Sequence, residues 1–390
     1  MSNHTSKHTV LLIFGVTLIA VMGVASISPA LPSIQEHFHL EKGQIKWLIS
    51  LFSLPGFFLS FFMGILADRF GRKTILVPSL LLFSVAGFLC SFATEYKILL
   101  ILRFIQGMGA ASLSSLNITL IGDFFPGNER ARIMGYNASV LSIGTGLYPF
   151  IGGSLASIHW QYVFYLPILA LPLAIVVLFF LKPPRLKTPG PFFQYFNTLW
   201  KTINQSKVWG LFLTNLLVFV ILYGAYLTFF PLLLKQRITA HPLFIGIIMS
   251  AMSLNTAISA FFLGSLKTRF GAPSLLYFSA LVYGISLLIM GFSNNLLSII
   301  VSVVLFGIAH GLYLPNIQTL LVGMSSEKER AGFMSLNSMI LRLGQFLGPI
   351  VISLFYVREN LRFVFLGAAG VAIIMIIVQK LMVNLEPEIK

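Results

Sequence analysis

Three basic side chains lie inside long apolar runs of this chain. His310 falls near the middle of one run, followed by Tyr313 and Asn316 one and two helical turns on. Arg342 sits near the middle of the next run, and Arg103 one to two turns inside an earlier one. A histidine titrates near physiological pH, so His310 can carry a coupled proton; a neutral, hydrogen-bonded histidine lining a cavity is the other reading. An arginine in such a run must face protein or water. For Arg342 that leaves an anion-binding role or a structural bond to carbonyls of the seventh or eighth run. For Arg103, function stands beside snorkelling of its long stem to the interface. Asn215, Tyr223 and Tyr226 in the seventh run, and Ser112, Asn117 and Thr119 in the fourth, suit a cavity wall or interhelical hydrogen bonds.

The acids show the opposite pattern. Glu36, Glu41, Asp68, Glu95, Asp123, Glu129, Glu327, Glu329, Glu359, Glu386 and Glu388 all fall in loops, tails or run ends. A carboxylate in mid-run would both titrate and attract a cation. Its absence argues against a strictly cationic substrate.

The elements that must position these residues are spans of a membrane. The chain is 57% hydrophobic and 9% charged, with a mean hydropathy of +0.91. So few charges cannot cover a soluble surface, and the class is polytopic membrane protein. Twelve apolar runs are counted, at roughly 9–29, 45–66, 74–94, 98–121, 133–157, 162–181, 208–234, 242–266, 274–294, 297–323, 333–356 and 362–383. The Pro-containing stretch KPPRLKTPGP cannot continue a helix, so 182–207 reads as a linker between residues 1–181 and 208–390, with six spans each. Runs of this length exclude a closed β-barrel.

The net charge of +15 reflects orientation rather than nucleic-acid binding. Of the 26 Lys and Arg, seventeen occupy loops on the side shared by both termini and seven the other side, which puts both termini in the cytoplasm. The first run needs no signal-peptide cleavage. Trp47, Trp160, Trp200 and Trp209 sit at run ends, as interfacial aromatics do. Cys90 is the single cysteine; it excludes internal disulfides and reads as a small packing residue.

Two short basic hairpins join corresponding runs 200 positions apart: GILADRFGRKTIL at 64–76 and GSLKTRFGAPSLL at 264–276. Such a repeat points to a transporter built from two similar halves. The first hairpin resembles the signature loop between helices 2 and 3 of the major facilitator superfamily. Gly64 allows close helix approach and Gly71 supplies a turn conformation closed to bulkier residues. The resemblance implies that Gly64, Asp68, Arg69, Gly71, Arg72 and Lys73 form either a conformational latch or a topology anchor. In the second copy Thr268 replaces the aspartate.

Further along, Arg103-Phe104-Ile105-Gln106-Gly107 resembles the family's helix-4 motif. The stretch from Asp123 to Arg132 resembles its loop 4–5, so Asp123 and Arg130 join the hairpin's basic residues in the latch set. Gly144-Thr145-Gly146-Leu147-Tyr148-Pro149-Phe150-Ile151-Gly152-Gly153 is similar to the helix-5 motif of the twelve-helix drug:proton antiporters, with Tyr148 where a glycine belongs. Its counterpart runs from Arg342 to Pro349, and Ser28 to Ile34 resembles the end of helix 1 in the same group.

The resemblance implies an all-α membrane protein of twelve helices in two pseudo-symmetric six-helix bundles. The expected activity is efflux of a neutral or anionic amphipathic small molecule in exchange for protons, by rocking of the bundles. Uptake of an anionic metabolite by proton symport is the alternative, and a transport-dead sensor or scaffold a third reading. No enzyme, cofactor, metal or nucleic acid is expected, and no GxxxxGK[ST] nucleotide signature occurs. The expected partners are substrate, protons and the lipid bilayer, for a multi-pass monomer of the cell membrane.

Overall fold

A backbone inside hydrocarbon has no water to bond, so each apolar run must close its own hydrogen bonds as a helix. The computed structural model describes residues 3–41, 43–125, 127–181, 205–324, 330–357 and 360–383. The expected linker, apart from residues 205–207, lies outside the described residues.

In chain order the long helices are α1 (Asn3–Ala25), α2 (Trp47–Phe70), α3 (Arg72–Leu89), α4 (Tyr96–Phe124), α5 (Gly127–Ile158) and α6 (Ala170–Phe180). They are followed by α7 (Ser206–Val220), α8 (Pro242–Phe270), α9 (Ala272–Phe292), α10 (Leu296–Gly323), α11 (Arg330–Ser353) and α12 (Leu361–Val378). No strand occurs among the described residues. Eleven helical segments there are long and apolar enough to cross a membrane; α2 occupies the position of the remaining expected span, and several of its side chains, that of Asp68 among them, lie outside the described residues.

Where helix ends differ from the hydropathy boundaries, backbone chemistry explains the shift. α5 and α8 extend past the apolar runs because helical hydrogen bonding continues into the polar interface. α1 stops early, at Ala25, and gives way to a 3₁₀ turn Ser28–Ala30 and a short helix Leu31–His37. Pro29 and Pro32 cannot donate to a continuing helix. α6 is entered through a 3₁₀ stretch, Trp160–Leu169. α7 widens into a π-helical segment, Ile221–Phe229, before the short helix Phe230–Ile238.

The two hairpins share one local geometry. Gly71 (φ +97°) ends α2 by donating its N–H to the Ala67 carbonyl, and Gly271 (φ +76°) ends α8 on Lys267. Side chains avoid these φ values, so glycine is required. In both, the preceding arginine lies over the phenylalanine beside it, Arg69 on Phe70 and Arg269 on Phe270. Loss of the aspartate at position 268 leaves this backbone unchanged.

The buried apolar side chains separate into two large cores. One is drawn from residues 12–181 and the other from 208–383. Tyr223, Leu227 and Leu232 pack against both. The bundles meet along two antiparallel seams, α2 with α11 and α5 with α8.

Contacts across the seams gather on the face away from the hairpins. On α2–α11, Lys46 Nζ donates to Ser353 Oγ (2.9 Å) and Ser50 Oγ to the Phe346 carbonyl (3.0 Å). On α5–α8, Gly153 and Gly246 let the backbones touch, and Ser253 Oγ donates to the Thr145 carbonyl (3.1 Å). Lys235 reaches Glu36 at 3.3 Å beside them.

Toward the hairpins the α5–α8 seam parts. No residue from Met134 to Ile143 on α5, or from Ser253 to Phe262 on α8, is buried. A helix covered on one side buries a residue every third or fourth position. Apart from Ser253 at the edge, which bonds Thr145, both stretches are therefore bare on the inner side as well, which defines a cleft between α5 and α8 that opens on the hairpin face.

Candidate substrate and coupling site

Arg342 lies between the bundles, on the α2–α11 seam. Its guanidinium crosses from α11 and lies against the bare Cα of Gly56 on α2, in the place a Cβ there would take. Tyr223, on the π-helical segment of α7, is close enough to feel its charge. A π turn rotates the side chains that follow it relative to an α-helix, and such turns recur at functional sites. Thr228 Oγ1, donating to the Tyr223 carbonyl (2.6 Å), holds this one in place. This point of the seam thus carries a cation, a phenol and a contact between bundles.

His310 lies elsewhere. It is buried within the second bundle, where its Nδ1 shares a 2.5 Å hydrogen bond with the Tyr283 hydroxyl of α9. An aromatic column surrounds it: Tyr283 against Phe306 (5.0 Å), Phe306 stacked on Tyr226 (4.8 Å), and Tyr226 on Phe230 (5.0 Å). Tyr226 donates its hydroxyl to the Met249 carbonyl (3.3 Å), and Tyr313 packs 6.3 Å from Tyr283. Asn316 Nδ2 donates to the Ala272 carbonyl at the start of α9 (2.8 Å). The tertiary structure therefore groups His310, Tyr226, Tyr313 and Asn316 with the bundle core and sets Arg342 apart from them.

Arg103 neither snorkels nor lines the cleft. It is completely buried, with Nε donating to the Leu48 carbonyl (3.2 Å), Nη1 to Gln106 Oε1 (2.7 Å) and Nη2 to the Gly23 carbonyl (2.8 Å). Its guanidinium lies 4.1 Å from the centre of the Phe52 ring. Gly23 is in the last turn of α1, where carbonyls lose their helical donors: the Ile27 N–H bonds Val24 instead. Arg103 thus caps α1 and ties it to α2 and α4.

Two amide clasps, one per bundle, escaped the sequence reading in part. In the first bundle Asn117 Nδ2 donates to Thr17 Oγ1 and to Asn137 Oδ1 (3.2 Å), and Thr17 Oγ1 also bonds Asn137. In the second, Asn215 Nδ2 donates to Asn337 Oδ1 (2.7 Å), and Asn337 Nδ2 lies 3.4 Å from Gln318 Oε1. Asn137 and Asn337 stand 200 positions apart, as the hairpins do. That period is the signal that could have found them. Each clasp joins the first, fourth and fifth helices of its bundle, so Asn117 and Asn215 hold helices together within a half.

At the hairpin, Arg72 Nε pairs with Asp123 Oδ2 at 2.9 Å, joining α3 to the end of α4. Arg130 caps that same end, donating to the Gly122 (2.7 Å) and Phe125 (3.2 Å) carbonyls. Arg69 and Lys73 flank the turn; the surroundings of Gly64 and the side chain of Asp68 lie outside what the structure describes.

The helix-5 motif divides by face. Gly152 packs on the Ser26 carbonyl inside the first bundle, while Gly153 faces Gly246 and Pro242 across the seam. Pro149 presents its carbonyl to Gly246. The Tyr148 ring is buried over Gly144, whose lack of a side chain makes room for it between α5 and Leu18 and Val21 of α1. In the second half Gly348 stands 200 positions on from Tyr148, and there α11 meets the α7 backbone directly at Gly224.

The family model described as Major Facilitator Superfamily matches residues 13–239 and 225–390. Quinolone resistance protein NorA of Staphylococcus aureus (strain COL) is 27% identical over 387 residues, covering 96% of this chain and 97% of that protein. Multidrug resistance protein 2 of Bacillus subtilis (strain 168) is 24% identical over 368 residues, covering 91% and 90%. Among solved structures, a bacterial homolog of the human lysosomal transporter Spinster superposes with a TM-score of 0.78 at 18% identity, covering 98% of this chain and 96% of that one. The nucleoside transporter NupG gives 0.79 at 13% identity, covering 99% and 100%.

Proposed function

The chain belongs to the Major Facilitator Superfamily and is a multi-pass membrane transporter rather than an enzyme, and from that premise we propose that it exports neutral or anionic amphipathic molecules in exchange for protons. One observation carries the reading: the charge seated between the bundles is Arg342, while no acid of the chain falls in mid-span. Resistance proteins among the relatives support export as the direction. The basic hairpins then face the cytoplasm of a cell-membrane protein acting as a monomer, and the cleft loads from that side. Two separately packed bundles, each clasped internally and meeting along seams made of few polar contacts, support alternating access by rocking.

A monovalent cation about 4 Å from Arg342 would meet a repulsion on the order of 1–4 kcal/mol, and an anion a matching attraction. Arg342→Gln is therefore expected to slow transport of the anion carboxyfluorescein about tenfold or more in proteoliposomes and to slow a neutral dye far less. Arg342→Lys should restore only part of the rate, because a point charge lacks the planar fork of arginine. Tight ethidium binding with an Arg342→Gln variant indistinguishable from the parent would end the basic-cavity reading.

Coupling is assigned to His310, the mid-span histidine, through its bond to Tyr283. His310→Gln keeps a hydrogen-bonding side chain but cannot carry a proton. Transport driven by a pH gradient should disappear, while exchange at equal pH continues. Gradient-driven transport at the parental rate would leave His310 as a packing residue of the second core.

A further inference from the structure

The α2–α11 seam is a ladder of antiparallel contacts. Lys46 pairs with Ser353, Ser50 with Phe346, and Gly56 with Arg342. From Lys46, just before α2, to Gly56 is ten residues, and from Ser353 to Arg342 eleven, so the rungs span about 15 Å along both helices. Arg342 is the rung nearest the hairpin face. Pro55 precedes its seat, so α2 lacks a helical hydrogen bond at the same level.

The other seam is built differently. On α5–α8 the closure is backbone against backbone: a Cβ on Gly153 would lie 3.1 Å from the Gly246 Cα and 2.5 Å from the Pro242 carbonyl oxygen. The residue 200 positions before Arg342 is Ser142, and the one 200 after Gly56 is Thr256. Charge enters the innermost rung on one seam only.

We propose that Arg342 is the trigger of alternating access as well as the counter-charge for substrate. An anion entering the cleft draws the guanidinium off Gly56, removes the innermost rung, and unzips α2 from α11 toward the opposite face. Gly56 is then a positioning residue, since any side chain there takes the volume the guanidinium occupies. The inference rests on the anion reading of the cleft and adds that substrate charge acts on the seam.

Ser50 reports on the seam. It is buried between the outer and inner rungs, and cysteine is nearly its size. The native Cys90 is also buried, so the unsubstituted protein supplies the background. In lipid nanodiscs, maleimide labelling of Ser50→Cys is expected to accelerate at least fivefold with carboxyfluorescein and not with ethidium. Adding Arg342→Gln should raise labelling without ligand and abolish the response, and adding Gly56→Ala should also raise it without ligand. If Gly56→Ala does not insert, the Arg342→Gln arm decides.

Carboxyfluorescein that binds, by fluorescence anisotropy, yet leaves Ser50→Cys labelling unchanged overturns the trigger and leaves the anion reading standing. Ethidium binding without carboxyfluorescein binding overturns both.

Discussion

Replacing Arg103 by alanine is expected to cost on the order of 3–5 kcal/mol of stability, a large share of the 5–15 kcal/mol typical of a folded domain. The guanidinium makes three hydrogen bonds to groups that have no water to turn to. The Gly23 carbonyl at the end of α1 would lose its cap, and Gln106 its charged partner. Buried groups left in that condition cost about 1–3 kcal/mol each, and the vacated volume against Phe52 adds a cavity term. Positive charge at a helix C-terminus is favourable in itself, and that contribution also disappears. Arg103→Lys keeps the charge over Phe52 but cannot reach three acceptors in different directions, so it should fall between alanine and the parent. Thermal unfolding in detergent, with the monodisperse fraction after purification, measures the effect. An alanine variant with the parental midpoint would show that Arg103 does not organise the first bundle.

The second large effect separates two neighbouring glycines. Gly152→Ala should impair folding, because the new methyl lands on the Ser26 carbonyl oxygen inside the first bundle, where α1 and α5 are held together. Gly153→Ala puts its methyl 2.5 Å from the Pro242 carbonyl oxygen, across the seam between bundles. That variant should insert and purify normally, since each bundle packs without the seam, but its closed face should be forced apart. Transport should drop about tenfold or more, and Ser253→Cys, whose parent hydroxyl bonds Thr145 in the same seam, should react faster with maleimide. The pair is read by unfolding temperature and turnover together. Equal losses of stability in both variants, with turnover following stability, would sink the distinction.

Those two glycines also mark where sequence reading stops. Residence in the bilayer, the number of apolar runs, the twofold repeat and the lack of mid-span acid were all legible, because each depends on counting apolarity and charge along the chain. The turn glycines Gly71 and Gly271 were legible for a local reason, a backbone angle that side chains avoid. The direction each side chain faces was not. Successive residues on a helix point about 100° apart, and a span apolar nearly all round carries little periodicity to say which direction is inward.

Gly152 and Gly153 are thus equivalent in sequence and opposite in space. His310 and Arg342 likewise both read as mid-span bases, yet one packs against Tyr283 inside a bundle and the other seats on Gly56 between bundles. Arg103 looked able to snorkel until α1 and α2 supplied carbonyls within its reach. The π segment that carries Tyr223 and the breaks at Pro29 and Pro32 reset helical phase, so no regular period could be carried through them. What the amino-acid order determined was a pair of membrane-embedded halves with a basic, acid-free interior. Tertiary packing decided which base sits between the bundles and which inside one, because that choice belongs to rotations set by neighbouring helices.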